Sequence, residues 1–360
     1  MDKYIDNYND SKKVTYHEQT DISNILKLRA VLKTLPDFCK DYFRAMDPLT
    51  TTKTRISYAY DIRIFFQFLL DENPAFKDYS MKDFTVDVLD QLKAIDIEEY
   101  QEYLKVYKNG DKTETNGERG LKRKISALRS FYAYYYKHEF IQTNPTVLVD
   151  VPKTHEKNII RLDADEVAML LEHIEHCGDE LTGQKRVYYE KTKERDLAIV
   201  TLLLGTGIRV SECVGLDVED VDFKNNGIKV TRKGGNEMVV YFGEEVEKAL
   251  RNYLETYRKA VTPLAGYENA LFLSTQKRRI GVQAVENMVK KYASQITNKR
   301  ITPHKLRSTY GTALYKETGD IYLVADVLGH KDVNTTKKHY AAIDEDRRRS
   351  AANVVKLREP

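Results

Sequence analysis

The sequence predicts a mainly α-helical chain with one small β-sheet, divided into two domains. Three observations point that way. Apolar residues recur at helical spacing through the first half, as in Ile62, Phe65, Phe66 and Leu69. The stretch from Asn144 to about Ile160 holds Pro145 and Pro152, lacks helical period and reads as an extended linker. In the second half, Gly227–Thr231 and Glu237–Tyr241 alternate in strand fashion about a glycine-rich turn, so a hairpin is expected there.

Taken in order, residues 1–20 are rich in Asp, Asn, Lys and Tyr without period and are expected to form a flexible tail. Residues 21–143 should form a helical domain. Within it, 22–45 read as helix, and a stronger helix runs from about Thr52 to the stop at Asn73-Pro74. A third spans about Val86 to Tyr107, and Asn109 to Gly117 reads as a loop. A fourth helix places Leu121, Ile125, Leu128, Tyr132 and Tyr135 on one face. Six basic residues and no acid lie between Arg119 and Lys137. Lys122, Arg123, Lys124 and Arg129 are therefore candidates for contact with a nucleic-acid backbone, with a solvated basic face as the plain alternative.

Past the linker, residues 161–345 should form the second domain. Asp163 and Glu166 have the spacing of a capping box, with Leu162 as its staple, so a helix opens there and ends near Cys177. His173, His176 and Cys177 lack a fourth ligand at suitable spacing, and no metal site is expected from them. The charged segment from Gly178 to Lys193 reads as a loop. Leu197–Leu204 should be a core helix, and the break at Gly205-Thr206-Gly207 leaves Arg209 at the start of the next. Glu212 follows three residues later, placed to hold that guanidinium. Lys233 falls at the hairpin tip, and Lys277, Arg278 and Arg279 are further candidate phosphate contacts.

The densest chemistry lies between Thr302 and Tyr340. Thr302 is a good N-cap and Pro303 suits the first helical position, so a helix should carry His304 and Arg307 on one face. Gly319 should end it, Asp320 should cap a second helix, and Gly329 should end that one, leaving His330 just beyond. Asn334 or Thr335 can cap a third short helix that bears or borders Tyr340. A guanidinium matches phosphate oxygens, an imidazole donates a hydrogen bond or moves a proton near neutral pH, and a phenol becomes a nucleophile when activated. Converging, such groups suit attack on a phosphodiester. Tyr340 alone would mean little among 25 tyrosines; the ordered set carries the inference.

That set, His-x-x-Arg at 304–307, Leu-Gly-His at 328–330 and Tyr340 ten residues after that histidine, resembles the C-terminal signature of the tyrosine recombinases, which include Xer-like enzymes and phage integrases. Gly205 to Glu212 is similar to the family's first-arginine motif, and Lys233 falls where its catalytic lysine sits. The resemblance implies an N-terminal helical, SAM-like core-binding domain and a C-terminal mixed α/β catalytic domain of the DNA breaking-rejoining type. It implies Tyr340 as nucleophile, Arg209, Arg307, His304 and His330 around the phosphate, Lys233 as proton donor and Glu212 in support. It also implies strand exchange through a 3′-phosphotyrosyl bond, needing neither metal nor ATP, in DNA integration, excision or resolution. The implied partners are double-stranded DNA and further copies of the chain, a dimer on a site and a tetramer in synapsis, with accessory proteins left open. Residues 346–360 would be a tail suited to exchange between protomers. A type IB topoisomerase-like activity and a binding-only DNA factor are the alternatives.

Composition bounds the remainder. The 360 residues are 41% hydrophobic and 31% charged with a formal net charge of +3, so a DNA footprint must come from local charge segregation. Three scattered cysteines, no long apolar run and no apolar leader point to a cytoplasmic protein without membrane contact.

Overall fold

The computed structural model describes residues 15–153, 155, 159–232, 235–329 and 333. The chain divides into two compact units, residues 1–156 and 157–360.

In the first unit, α1 (Tyr16–Leu32) begins inside the expected tail. Thr15 Oγ1 accepts from the Glu18 N–H, and Glu18 returns the bond to the Thr15 N–H at 2.8 Å. The chain then turns, and α2 (Cys39–Ala45) is a separate short helix rather than a continuation. The long α3 (Thr52–Glu72) starts on the Thr51 side-chain cap and stops before Pro74, and it buries Ile62, Phe65, Phe66 and Leu69 as its period requires. The third expected helix is really two, α4 (Val88–Gln91) and α5 (Ala94–Tyr103).

Its C-terminal end and the loop after it instead form a hairpin, β1 (Val106–Asn109) with β2 (Lys112–Thr115). Gly110, at φ +62°, takes the first position of its two-residue turn. Then α6 (Glu118–Lys137) packs Ile125, Leu128, Phe131, Tyr132 and Tyr135 into the same core. Each such side chain contributes about 1.5–3 kcal/mol on burial. The expected linker does not start free at residue 144. Thr146 and Val149 are buried in the first unit, and Arg129 donates to both of their carbonyls.

In the second unit, α7 (Ala164–His176) opens with the Glu166 carboxylate accepting the Asp163 N–H at 2.8 Å, and Leu162 is buried beside it. The expected loop to Lys193 is mostly helix, because α8 runs Gly183–Thr206. Its charged outer face hides Tyr189, Thr192, Arg195 and Asp196, all buried. Arg195 donates twice to Asp196 and once to the Leu273 carbonyl, and Tyr292 closes the cluster with a 3.2 Å bond to Asp196. Next come α9 (Val210–Gly215) and an antiparallel sheet ordered β3 (Val221–Asp222), β4 (Gly227–Thr231), β5 (Glu237–Tyr241), with Thr231 opposite Glu237. The helices α10 (Glu244–Tyr253), α11 (Val282–Ile296), α12 (Pro303–Thr318) and α13 (Ile321–Leu328) follow. Tyr315, Val324 and Leu328 pack together and set α13 against α12. No helix among the described residues is long and apolar enough to cross a membrane.

Candidate active site

The site grows from one helix end. Asp320 caps α13, its Oδ1 accepting from the N–H groups of Tyr322 and Leu323, and Gly329 ends it in the left-handed conformation at φ +61°. The Gly329 N–H turns back to the carbonyls of Ala325 and Asp326. The next three carbonyls, of Val327, Leu328 and Gly329, have no partner within the helix. Each accepts from a different arginine. Arg232 Nη2 reaches Val327 at 2.8 Å, Arg307 Nη2 reaches Leu328, and Arg209 Nη2 reaches Gly329 at 3.3 Å. Three like charges gather there because a helix C-terminus carries partial negative charge and guanidinium forks fit carbonyl oxygens.

Each arginine arrives on its own element. Arg209 is the N-cap of α9. Its backbone N–H and its Nη1 both donate at 2.8 Å to Glu212, whose carboxylate is buried. Before it, Gly207 ends α8 at φ +63°, and a methyl there would stand 2.4 Å from the Tyr310 ring. Only glycine fits. The Gly207 carbonyl accepts from Arg307 Nη1 at 2.6 Å, so Arg307 joins the end of α8 to the end of α13.

Arg307 is 4% exposed on α12, whose N-cap is Thr302, with Pro303 as its first residue; Thr302 caps by backbone geometry and its side chain makes no cap bond. His304 lies three residues before Arg307 and is exposed. Arg232 follows the last residue of β4, and its Nε and Nη1 are buried with no hydrogen-bond partner among the described residues. Burial pushes its guanidinium below the ordinary value, with Glu212 opposing and Arg209 adding to the shift.

The structure thus brings together Arg209, Glu212 and Arg307 from the expected set, with His304 near the start of α12. Lys233, His330 and Tyr340 lie outside the described residues, as does the expected third short helix. Arg232, which with Lys229 can be mistaken from sequence for Lys233, is not in the expected set. Its signal in the sequence is adjacency to Lys233, but its carbonyl partner is 95 residues away.

The expected DNA contacts separate into two kinds. Lys122, Lys277 and Arg278 are exposed. Lys124 is not on an outer flank: it is buried, 3.3 Å from the buried Asp61, which Arg123 also pairs from its half-exposed position. Arg129 is spent on the Thr146 and Val149 carbonyls. Arg279 is likewise internal, donating to the carbonyls of Val214 and Leu216 and to Asp217. Each of these three is engaged by acceptors within its own unit. Among the described residues no group of histidine, cysteine and acidic side chains could hold a metal ion.

Residues 160–347 match the profile of the phage integrase family, more than half of the chain. The chain belongs to that family. A tyrosine recombinase XerC of Caldanaerobacter subterraneus subsp. tengcongensis is 33% identical over 309 residues, 82% of this chain and 80% of the relative. A tyrosine recombinase XerS of Lactococcus lactis subsp. lactis is 29% identical over 356 residues, 92% of this chain and 98% of that one. Among solved structures, the Tn1549 transposon integrase in complex with transposon right end DNA aligns at TM-score 0.62 and 21% identity, over 87% of this chain and 99% of that one, and shares the fold. As a phage integrase family member the chain is a site-specific tyrosine recombinase, an enzyme that cleaves and rejoins DNA strands. The resemblance read from the motifs at 205–212 and 304–340 is to this same family.

Proposed function

We propose that this recombinase breaks one DNA strand by attack of the Tyr340 hydroxyl on the scissile phosphate. The new P–O bond forms to the tyrosine as the P–O5′ bond breaks, leaving a 3′-phosphotyrosyl link and a free 5′-hydroxyl. Arg209 and Arg307 hold the non-bridging oxygens, His304 and His330 hydrogen-bond the same phosphoryl group and one of them takes the Tyr340 proton, and Lys233 gives a proton to the leaving O5′. Glu212 keeps Arg209 aimed. The bond energy stays in the phosphotyrosine, so the reverse attack by a 5′-hydroxyl rejoins strands without ATP.

One observation carries this reading: Arg209 and Arg307 are fixed on adjacent carbonyls of the turn that leads directly into His330. Fixed cations aimed where phosphoryl charge develops are the main source of rate in such transfers.

Exchange of strands needs two broken duplexes, so the working unit in this proposal is a dimer on each site and a tetramer in synapsis, acting on double-stranded DNA. The exposed Lys122, Lys277 and Arg278 are proposed backbone contacts. The test is a nicked duplex that loses its short cleaved fragment and so traps the covalent complex. The unaltered chain should give a protein–DNA adduct on denaturing gels, and Tyr340→Phe should give none while still binding the duplex. An adduct with Tyr340→Phe would refute the nucleophile.

A further inference from the structure

Arg232 belongs to no expected set, yet it completes the row of three arginines on the end of α13. Its Nη2 donates to the Val327 carbonyl at 2.8 Å, and its guanidinium lies on the Cα of Gly329, where an added methyl would fall 1.0 Å from Nη1. This contact joins two elements otherwise remote in sequence: the end of β4 and the turn at the end of α13. Arg232 is also pinned from its own side, because its N–H donates to the Asn236 carbonyl at 2.8 Å and its carbonyl accepts from the Gly235 N–H at 3.0 Å. Both sides of the hairpin turn are thereby tied to one residue, and that residue is tied to the arginine cluster. Lys233 is the next residue in the chain.

We infer that Arg232 is a positioning residue: by latching the β4–β5 hairpin onto the carbonyl of Val327 beside Gly329, it sets where Lys233 delivers its proton relative to Arg209 and Arg307. The inference rests on Lys233 being the proton donor to O5′. General acid catalysis requires the donor within hydrogen-bond reach of the leaving oxygen. A guanidinium held by one hydrogen bond, with two buried nitrogens unpaired among the described residues, is costly to keep. The cost is offset if the latch serves the reaction. A side chain at 329 would displace this guanidinium, since an added methyl falls 1.0 Å from Nη1.

The test compares two nicked duplexes, one with the normal bridging O5′ at the scissile phosphate and one with sulfur in its place. A thiolate leaves without a proton, so loss of proton delivery slows only the oxygen substrate. For each protein the single-turnover rates on both are measured, with the folded fraction taken from thermal melts and duplex affinity from gel shifts. Lys233→Ala should lose on the order of 10²–10⁴-fold on oxygen and recover on sulfur. Arg232→Ala should lose about 10–100-fold on oxygen and recover to within about threefold of the unaltered chain on sulfur. Arg232→Lys, which keeps the charge but not the fork, should fall between Arg232→Ala and the unaltered chain on oxygen and recover likewise.

If Lys233→Ala recovers and the Arg232 variants are slow on both substrates, Arg232 does not act through the proton donor and the inference fails alone. Full activity of Arg232→Ala on oxygen has the same meaning. If Lys233→Ala does not recover, the proton-donor reading fails and takes the inference with it.

Discussion

Arg209 and Glu212 hold each other at two points, the backbone N–H on one carboxylate oxygen and the guanidinium on the other, both at 2.8 Å. The first bond caps α9 and the second aims the side chain, so one buried carboxylate does a structural and a functional task. The two tasks separate on substitution. Glu212→Gln keeps an acceptor for the cap but loses the charge-assisted bond, and should slow strand cleavage by about tenfold with a melting temperature little changed. Glu212→Ala also loses the cap and should lower stability by about 1–2 kcal/mol. Single-turnover cleavage and thermal melts check both.

Arg307 satisfies the Gly207 and Leu328 carbonyls from a site that is almost wholly buried. Arg307→Ala leaves both without that donor and should cost about 1–3 kcal/mol of stability. It should also cost on the order of 10²–10³-fold in cleavage. Arg307→Lys retains charge without the fork that spans two carbonyls, so it should stay far below the unaltered rate. Near-normal cleavage by the lysine variant would mean the bridging is incidental.

Gly207→Ala should distort the site without touching a charged group. Its φ of +63° and the Tyr310 ring 2.4 Å from an added methyl both oppose a side chain. A loss of about 1–3 kcal/mol is expected. Cleavage should fall with it, because Arg209 and the carbonyl under Arg307 move together. In Gly207→Ala/Tyr310→Ala the part due to the ring should return, whereas the parts due to Leu328, 2.9 Å from the added methyl, and to the backbone should not.

Lys299 donates to Asp163 at 2.9 Å and to Glu166 at 2.6 Å, tying the segment after α11 to the start of α7. The Lys299 bond holds Asp163 below the usual carboxylate range. A carboxylate lowered on folding stabilises above its unfolded value, and that stabilisation is lost as pH falls through the folded value. Lys299→Met should therefore lower full-chain stability at pH 7 by under about 1 kcal/mol for so exposed a cluster, read as a lower melting temperature. The gap should close below about pH 4. An equal gap at pH 7 and pH 3 would contradict the assignment.

What could be read from sequence was local. Thr302, Pro303, Gly319, Asp320 and Gly329 mark helix ends through chemistry contained within a few residues, and α12 and α13 begin and end where they indicate. Arg209 and Glu212 were legible for the same reason. The hairpin at 106–115 had a local signal too, the turn pair Gly110-Asp111, hidden by the helical period that leads into it. The segment 183–193 looked like a loop because its charges dominate, whereas its burial of Tyr189 and Thr192 depends on partners elsewhere in the fold. Lys124, Arg129, Arg279 and Arg232 share that limitation. Each looked like a free cation because the acceptors it satisfies are carbonyls and carboxylates distant in sequence, and periodicity carries no trace of them.

The central claim is that one tyrosine becomes covalently joined to DNA. The most direct measurement is to trap the unaltered chain on a nicked duplex, digest the adduct with protease and nuclease, and identify by mass spectrometry the residue that carries the nucleotide. The expected result is a single modified peptide with the phosphodiester on Tyr340. A nucleotide on any other residue, or tight binding with no adduct under conditions where the duplex is cleaved, would contradict it.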